Sequence, residues 1–235
     1  LYFNGEDDHI IVPPSRTLRN LTSRSFEIEL TLNAQLPEKY KEYLIGDLSN
    51  RRYIDFPIIN RKGWDFNIGY NNSRAFSTTM WSWRNELIYT WAKRYPNKWT
   101  KLNLKVDDRE KEIRFLVNDE ETDSRHGTGA ESPLKYENGL KRYGGTPFTI
   151  GKAHSSGQVD SKYKLFQGYI KEIKFIDFRD NLVLHYDFNE SVDGNKVIDL
   201  SGNENHGELH GGEVREVEVN DLYNTDVPHR SFGRM

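Results

Sequence analysis

The sequence predicts an all-β chain, with two antiparallel sheets packed face to face as a jelly-roll sandwich. Three observations predict it. Apolar and polar residues alternate with period two over several separate segments, the spacing that turns every second side chain of a strand toward a core. Clusters of turn formers, "NRKG", "YNNS", "DDREKE", "NDEETD", "FRDN" and "SGNEN", lie between those segments. No stretch sustains an apolar face at helical spacing. Many strands with polar turns close most economically as a sandwich or jelly roll.

Composition bounds the rest. At 235 residues the chain is long enough for one sizeable all-β core. Hydrophobic residues at 35% against 29% charged mark a globular chain, and no apolar run approaches the ~20 residues of a membrane span. A net charge of −3 gives no electrostatic reason to expect a nucleic acid partner. Arg51, Arg52, Arg61 and Lys62 form a local basic cluster, read as solvated loop charges. With Cys at 0, disulfides, thiolate metal sites and a Cys nucleophile are excluded. Sequons at Asn20, Asn71 and Asn189 are read as chance triplets of an Asn-rich chain.

Along the chain, "SFEIELTL" alternates Phe26, Ile28, Leu30 and Leu32 against Ser25, Glu27, Glu29 and Thr31. "MWSWRNELIYTWAKRYPNKW" concentrates Trp81, Trp83, Trp91, Tyr95 and Trp99. "KWTKLNLKVDD" alternates with Trp99, Leu102, Leu104 and Val106 on one face, given a one-residue offset that a bulge would supply. "EIRFLVNDEE" follows as a further strand, and Thr122–Gly145 is a long, polar, glycine-bearing irregular region. "YIKEIKFID" and "NLVLHYDFN" are strands joined by "FRDN" as an antiparallel hairpin. "DLSGNENHGELHGG", Asp199 to Gly212, packs Asp, Ser, Gly and Asn into a tight connection. Residues 220–235 show no alternation and read as a linker or tail after a domain spanning 1–219.

Together these segments resemble the laminin-G-like, concanavalin A-like jelly-roll superfamily. "PFTIGKA" followed by "FQGYIKEIKFID" resembles its closing hairpin, and "KWTKLNLKVDD" its central Trp strand. "LVLHYDFNES" with "VIDLSGNENHGELHGG" resembles its opening strand and Asp-x-Ser-Gly-Asn turn. "LYFNGEDDHIIVP" resembles the strand that ordinarily comes after that turn. The order is therefore permuted, which adjacent first and last strands tolerate. A tandem array with Leu182 opening a second copy is the alternative. The resemblance implies that Trp99 is a core residue. It also implies an extracellular, cell-surface or virion-associated setting.

Three kinds of chemistry were weighed on these residues. Asp and Asn oxygens in a glycine turn suit Ca²⁺, which takes roughly 6–8 oxygen ligands. The superfamily often carries one such ion, making Asp199, Asn203 and Asp7 the candidate ligands. A metal-free Asx turn is the competing reading, and His206 and His210 alone make no zinc pattern. For carbohydrate, sugar C–H faces stack on aromatic rings, making Trp81, Trp83, Arg84, Trp91 and Tyr95 the candidates. Trp81 and Trp83 share one strand face and Leu87, Tyr89 and Trp91 another, and one set is expected to line the core. For catalysis, β-glucan-hydrolysing relatives use three acids on one strand, with carboxylates ~5 Å apart when retaining. Here Glu27 and Glu29 lack the third. The sequence thus points to a non-catalytic, lectin-like module for glycan or glycoprotein. A structural or protein–protein module stays open. So does an accessory domain of a larger glycosyltransferase or glycoside-active enzyme, because "VPHRSFGRM" resembles the beginning of glycosyltransferase-like domains.

Overall fold

A computed structural model describes residues 1–35, 55–61, 66–71, 75–81, 87–93, 98–121, 124–126, 129–131, 133–141, 144–153 and 165–211. Among them the strands form two large antiparallel sheets, and the 3₁₀ turn Leu21–Ser23 is the sole helical element. The first sheet runs Tyr2–Asn4, Gln167–Asp177, Phe26–Ala34, Thr100–Asp107, Glu112–Val117, Glu120–Glu121. Leu182–Asp187 also pairs with Gln167–Asp177, on the same edge as Tyr2–Asn4. The second sheet runs Val192–Asp193, Lys196–Val197, Gly207–His210, His9–Val12, Phe148–Ile150, Asp55–Arg61, Phe66–Asn71, Ala75–Trp81, Leu87–Lys93.

Alternation builds the first sheet directly. Phe26, Ile28, Leu30 and Leu32 are buried and pair with inward Val106, Leu104, Leu102 and Thr100. Ring contacts then join the sheets. Phe26 lies 6.0 Å from Phe66, Phe66 lies 6.1 Å from Phe148, and Phe148 lies 5.1 Å from Phe175. Phe26 and Phe175 belong to the first sheet, Phe66 and Phe148 to the second, so edge-to-face rings interlock across the sandwich. Val183, Leu184, Tyr186, Phe188, Val197 and Leu209 join the same buried cluster. The "FRDN" hairpin forms as expected, with Asp177 Oδ1 accepting the amides of Arg179 (2.8 Å) and Asn181 (3.0 Å).

The strands the alternation missed are those of the second sheet at 55–61, 66–71 and 75–81. Residues 56–60, 66–70 and 76–80 are buried on both faces, so polarity does not alternate there. Arg61 also departs from expectation. Rather than a solvated charge it is 0% exposed. Its guanidinium donates to the carbonyls of Thr146 (3.1 Å), Leu18 (3.2 Å) and Gly144 (3.0 Å) and lies 4.6 Å over the Phe148 ring. Three loops are thereby tied to one rigid donor fork, the geometry that favours Arg over Lys. Arg51, Arg52 and Lys62 lie outside the described residues.

Candidate functional site

The face of the second sheet that turns away from the core carries the aromatic positions. Phe66, Thr78 and Met80, with Tyr70 and Phe76, form the inward rows, as the pairs Phe66–Met80, Ile68–Thr78 and Tyr70–Phe76 require. Directly paired residues share a face. Trp81 pairs with Leu87, Thr79 with Tyr89, and Ser77 with Trp91. One strand further in, Asn67 pairs with Thr79 and Gly69 with Ser77. By Cα register, Trp81, Leu87, Tyr89 and Trp91 fall on the side of the sheet opposite the Phe66, Tyr70, Phe76 and Met80 positions. Trp83, Arg84 and Tyr95 lie outside the described residues. Asn67, Ser77 and Thr79 are at most 2% exposed, and Asn60 Nδ2 donates to Asn67 Oδ1 at 3.1 Å.

The Asp199 turn has a different occupation. Asp199 Oδ1 accepts the amides of His185 (2.9 Å) and Ser201 (3.0 Å), and Oδ2 accepts Ser201 Oγ (2.8 Å) and the Asn205 amide (2.9 Å). Four donors fill the carboxylate. Asn203 Nδ2 donates to the Leu182 carbonyl at 2.8 Å, and Asp7 Oδ1 accepts Asn4 Nδ2 at 2.7 Å. Both Asp199 oxygens are thus engaged by protein donors, and Asp199, Asn203 and Asp7 stand as the Ca²⁺ ligands expected from the sequence, which a calcium titration tests. Among the described residues no three His, Asp or Glu side chains gather as ligands. His206 Nδ1 accepts the Asp199 amide, while His210 stacks on His9 at 4.6 Å, so the two histidines serve different neighbours.

What the turn does is close an edge. Strand Leu182–Asp187 has partners on one side only, and the other side's backbone groups are met by the turn. Leu200 N donates to the His185 carbonyl (2.8 Å), and Ser201 Oγ (3.1 Å) and Asn205 Nδ2 (2.7 Å) donate to Val183. Ser191 exchanges two bonds with the Asp187 backbone, at 2.9 and 2.7 Å. Polar side chains thus occupy hydrogen-bonding positions that an incoming strand would use. The density of Asp, Ser and Asn in this stretch follows from that task.

On the outward face of the first sheet, Glu27 and Glu29 stand opposite Lys105 and Asn103. Asn103 Nδ2 donates to Glu27 (2.5 Å) and Glu29 (3.4 Å), and Lys105 pairs with Glu27 at 3.1 Å. Arg114 bonds Glu112 (3.2 Å), which also pairs with Lys135, and the two cations hold its carboxyl below the usual range. An open cleft of about 390 Å³ lies here, walled by Lys105, Asp107, Arg109, Asp177 and Phe178. At the other end of the same face the charges give way to rings. Tyr2 lies 4.8 Å from Tyr169, and Tyr169 lies 6.3 Å from Trp99. Trp99 is thus half-buried on an outward face, not in the core. No bulge interrupts its strand: Thr100 takes the inward place, and Trp99 falls on the opposite side. Sequence reasoning missed this cluster, whose one signal is an aromatic at a polar-face position of "YIKEIKFID".

No protein-family model matches the sequence, and no curated protein matches it. Solved structures do match. A protein of Bacteroides ovatus ATCC 8483 assigned to carbohydrate binding is similar over 89% of this chain, with a TM-score of 0.57 and 15% identity. The chain spans 59% of that protein's length. The CBM40 of the Ruminococcus gnavus IT-sialidase is similar over 74% of this chain and 88% of its own, with a TM-score of 0.47 and 9% identity. The NanB sialidase of Streptococcus pneumoniae is similar over 75% of this chain and 25% of its own, with a TM-score of 0.45 and 15% identity. With its two antiparallel sheets, the chain has a β-sandwich jelly-roll fold similar to that of the Bacteroides ovatus protein.

Proposed function

We propose that residues 1–219 form a laminin-G-like recognition module that binds glycan or glycoprotein without catalysing a reaction. Residues 220–235 lead out of it. The observation that carries this reading is the register of the second sheet, in which Trp81, Tyr89 and Trp91 share one outward face. Asn67, Gly69, Ser77 and Thr79 lie on the same side by register but are buried, and Lys93 follows Trp91 on that side at the strand's end. A line of aromatic positions matches a sugar's apolar C–H face. Trp83, Arg84 and Tyr95, close by in sequence, belong to the same proposed site.

A glycan array with the wild type and Trp91→Ala tests it. Binding to a subset of glycans, lost in Trp91→Ala at an unchanged melting temperature, supports the reading. An array without hits, or hits indifferent to substitution at Trp81 and Trp91, sinks it in favour of a protein–protein role.

A further inference from the structure

We propose that the row Tyr2, Tyr169, Asn33, Trp99 on the outward face of the first sheet is a second site, which takes an uncharged saccharide. Tyr2 pairs with Tyr169 and Tyr169 with Asn33. Leu32 pairs with Thr100, so Trp99 continues the row beside Asn33. Four adjacent strands each contribute one member, spanning about 14 Å at a strand spacing of ~4.8 Å. The rings are in contact, at 4.8 Å (51° tilt) for Tyr2–Tyr169 and 6.3 Å (44°) for Tyr169–Trp99. Gln167 Nε2 donates to the Tyr2 hydroxyl at 3.2 Å and fixes the outer ring.

The second observation is Asn33 itself. Its Oδ1 is buried without a hydrogen-bond partner, in the middle of this row. A buried amide oxygen left unpaired costs stability, and among the described residues, where Thr22, Thr78, Asn103 and His210 carry the other such atoms, Asn33 is the one in this row. The group it lacks is a donor, and a hydroxyl on a ligand stacked over the neighbouring rings supplies one once the half-buried Asn33 amide turns its oxygen outward. The ligand is uncharged because the flanking Glu172 and Lys101 already have partners. Glu172 is bonded by Lys174 (2.7 Å) and His185 (3.0 Å), and Lys101 by Asp119 (2.9 Å). This inference rests on the glycan reading and adds to it. The two sheets pack back to back, so the two sites face opposite ways and one module can bridge two glycan chains.

The test uses affinity gels loaded with xylan, mannan, galactan or β-glucan, together with light scattering of the same polymers in solution. Wild type is expected to be retained and to raise scattering by cross-linking. Asn33→Ala should weaken retention roughly three- to tenfold, the loss of one neutral hydrogen bond. It should leave the melting temperature equal or higher, because the unpaired oxygen is gone. Trp91→Ala should keep partial retention but lose cross-linking, and adding Tyr169→Ala should remove the remainder. If Asn33→Ala and Tyr169→Ala bind like wild type while Trp91→Ala abolishes binding, the second site is wrong and the glycan reading stands. An Asn33→Ala protein that is as weakened in melting as in retention makes Asn33 structural and also overturns the site. No retention of wild type on any polymer overturns both.

Discussion

The outward faces of the two sheets differ in how they handle polar groups. On the first sheet, toward the turns at 107–111 and 177–181, charges dominate and are matched within the sheet: Lys105 with Glu27, Arg114 with Glu112 and Glu121, Lys174 with Glu172. On the second sheet the outward rows through Asn67, Gly69, Ser77, Thr79, Tyr89 and Trp91 contain no charge. The charged lattice still leaves Asn103 Oδ1 buried without a partner, and Asn67, Ser77 and Thr79 on the second sheet are buried, so the faces differ in charge rather than in free bonding capacity. The aromatic row at the far end of the first sheet behaves like the second sheet's face, with an unmet acceptor at Asn33. Charge is therefore a property of rows, and one face of the first sheet holds a charged row and an aromatic one.

The largest effect expected on this contrast comes from Gly168→Ala. Gly168 sits at φ +138°, and a Cβ there would lie 2.2 Å from the Asn33 carbonyl oxygen. Backbone strain and overpacking together should cost at least about 3 kcal/mol and disturb the row of Tyr169 and Asn33. A denaturant midpoint close to wild type would mean that the seam beneath the aromatic row yields easily.

Next comes Asp199→Ala. Removing a carboxylate that accepts four hydrogen bonds, three of them from backbone amides, should cost about 1.5–3 kcal/mol. It should also favour self-association through strand Leu182–Asp187, seen as concentration-dependent sedimentation. Melting should not respond to Ca²⁺ or chelator in either protein. A calcium-dependent rise in the wild type that vanishes in the variant would support Asp199, Asn203 and Asp7 as metal ligands.

A smaller change follows at Glu27 and Glu29. Their exposed pairing should be worth under about 1 kcal/mol and weaken with salt, so Glu27→Gln and Glu29→Gln should melt and bind glycans like wild type. Turnover of β-glucan lost in Glu29→Gln would turn the charge lattice into a catalytic one.

The smallest effect is on pH dependence. Burial opposes ionisation of Glu172, but the bonds from Lys174 and His185 outweigh it and hold the carboxyl below its usual range. A depressed folded value gives stability that is present above the ordinary Glu value of about 4.3 and is lost as pH falls through the folded one. Glu172→Gln should flatten the acid limb of the stability curve slightly. An unchanged limb would show that the lattice is individually weightless.

Alternation in "SFEIELTL" and "YIKEIKFID" made the β class readable, because a strand's period is a property of its own residues. Local turn chemistry likewise announced the "FRDN" hairpin, since Asp177 caps amides only two and four residues away. Which strands become neighbours is not local. Tyr2, Asn33, Trp99 and Tyr169 are far apart in the chain and form one row only after four strands have paired. Trp81 and Trp91 share a face because of register across a strand pair, which periodicity within either strand cannot supply. The same holds for Arg61 and Asp199. Residue type made Arg61 look solvated, whereas burial and the surrounding carbonyls decided its place, and the amides that fill the Asp199 carboxylate come from separate segments. The sequence by itself determined parity, strand from turn and inward from outward. The tertiary structure decided adjacency, because pairing and desolvation arise between segments that the chain keeps apart.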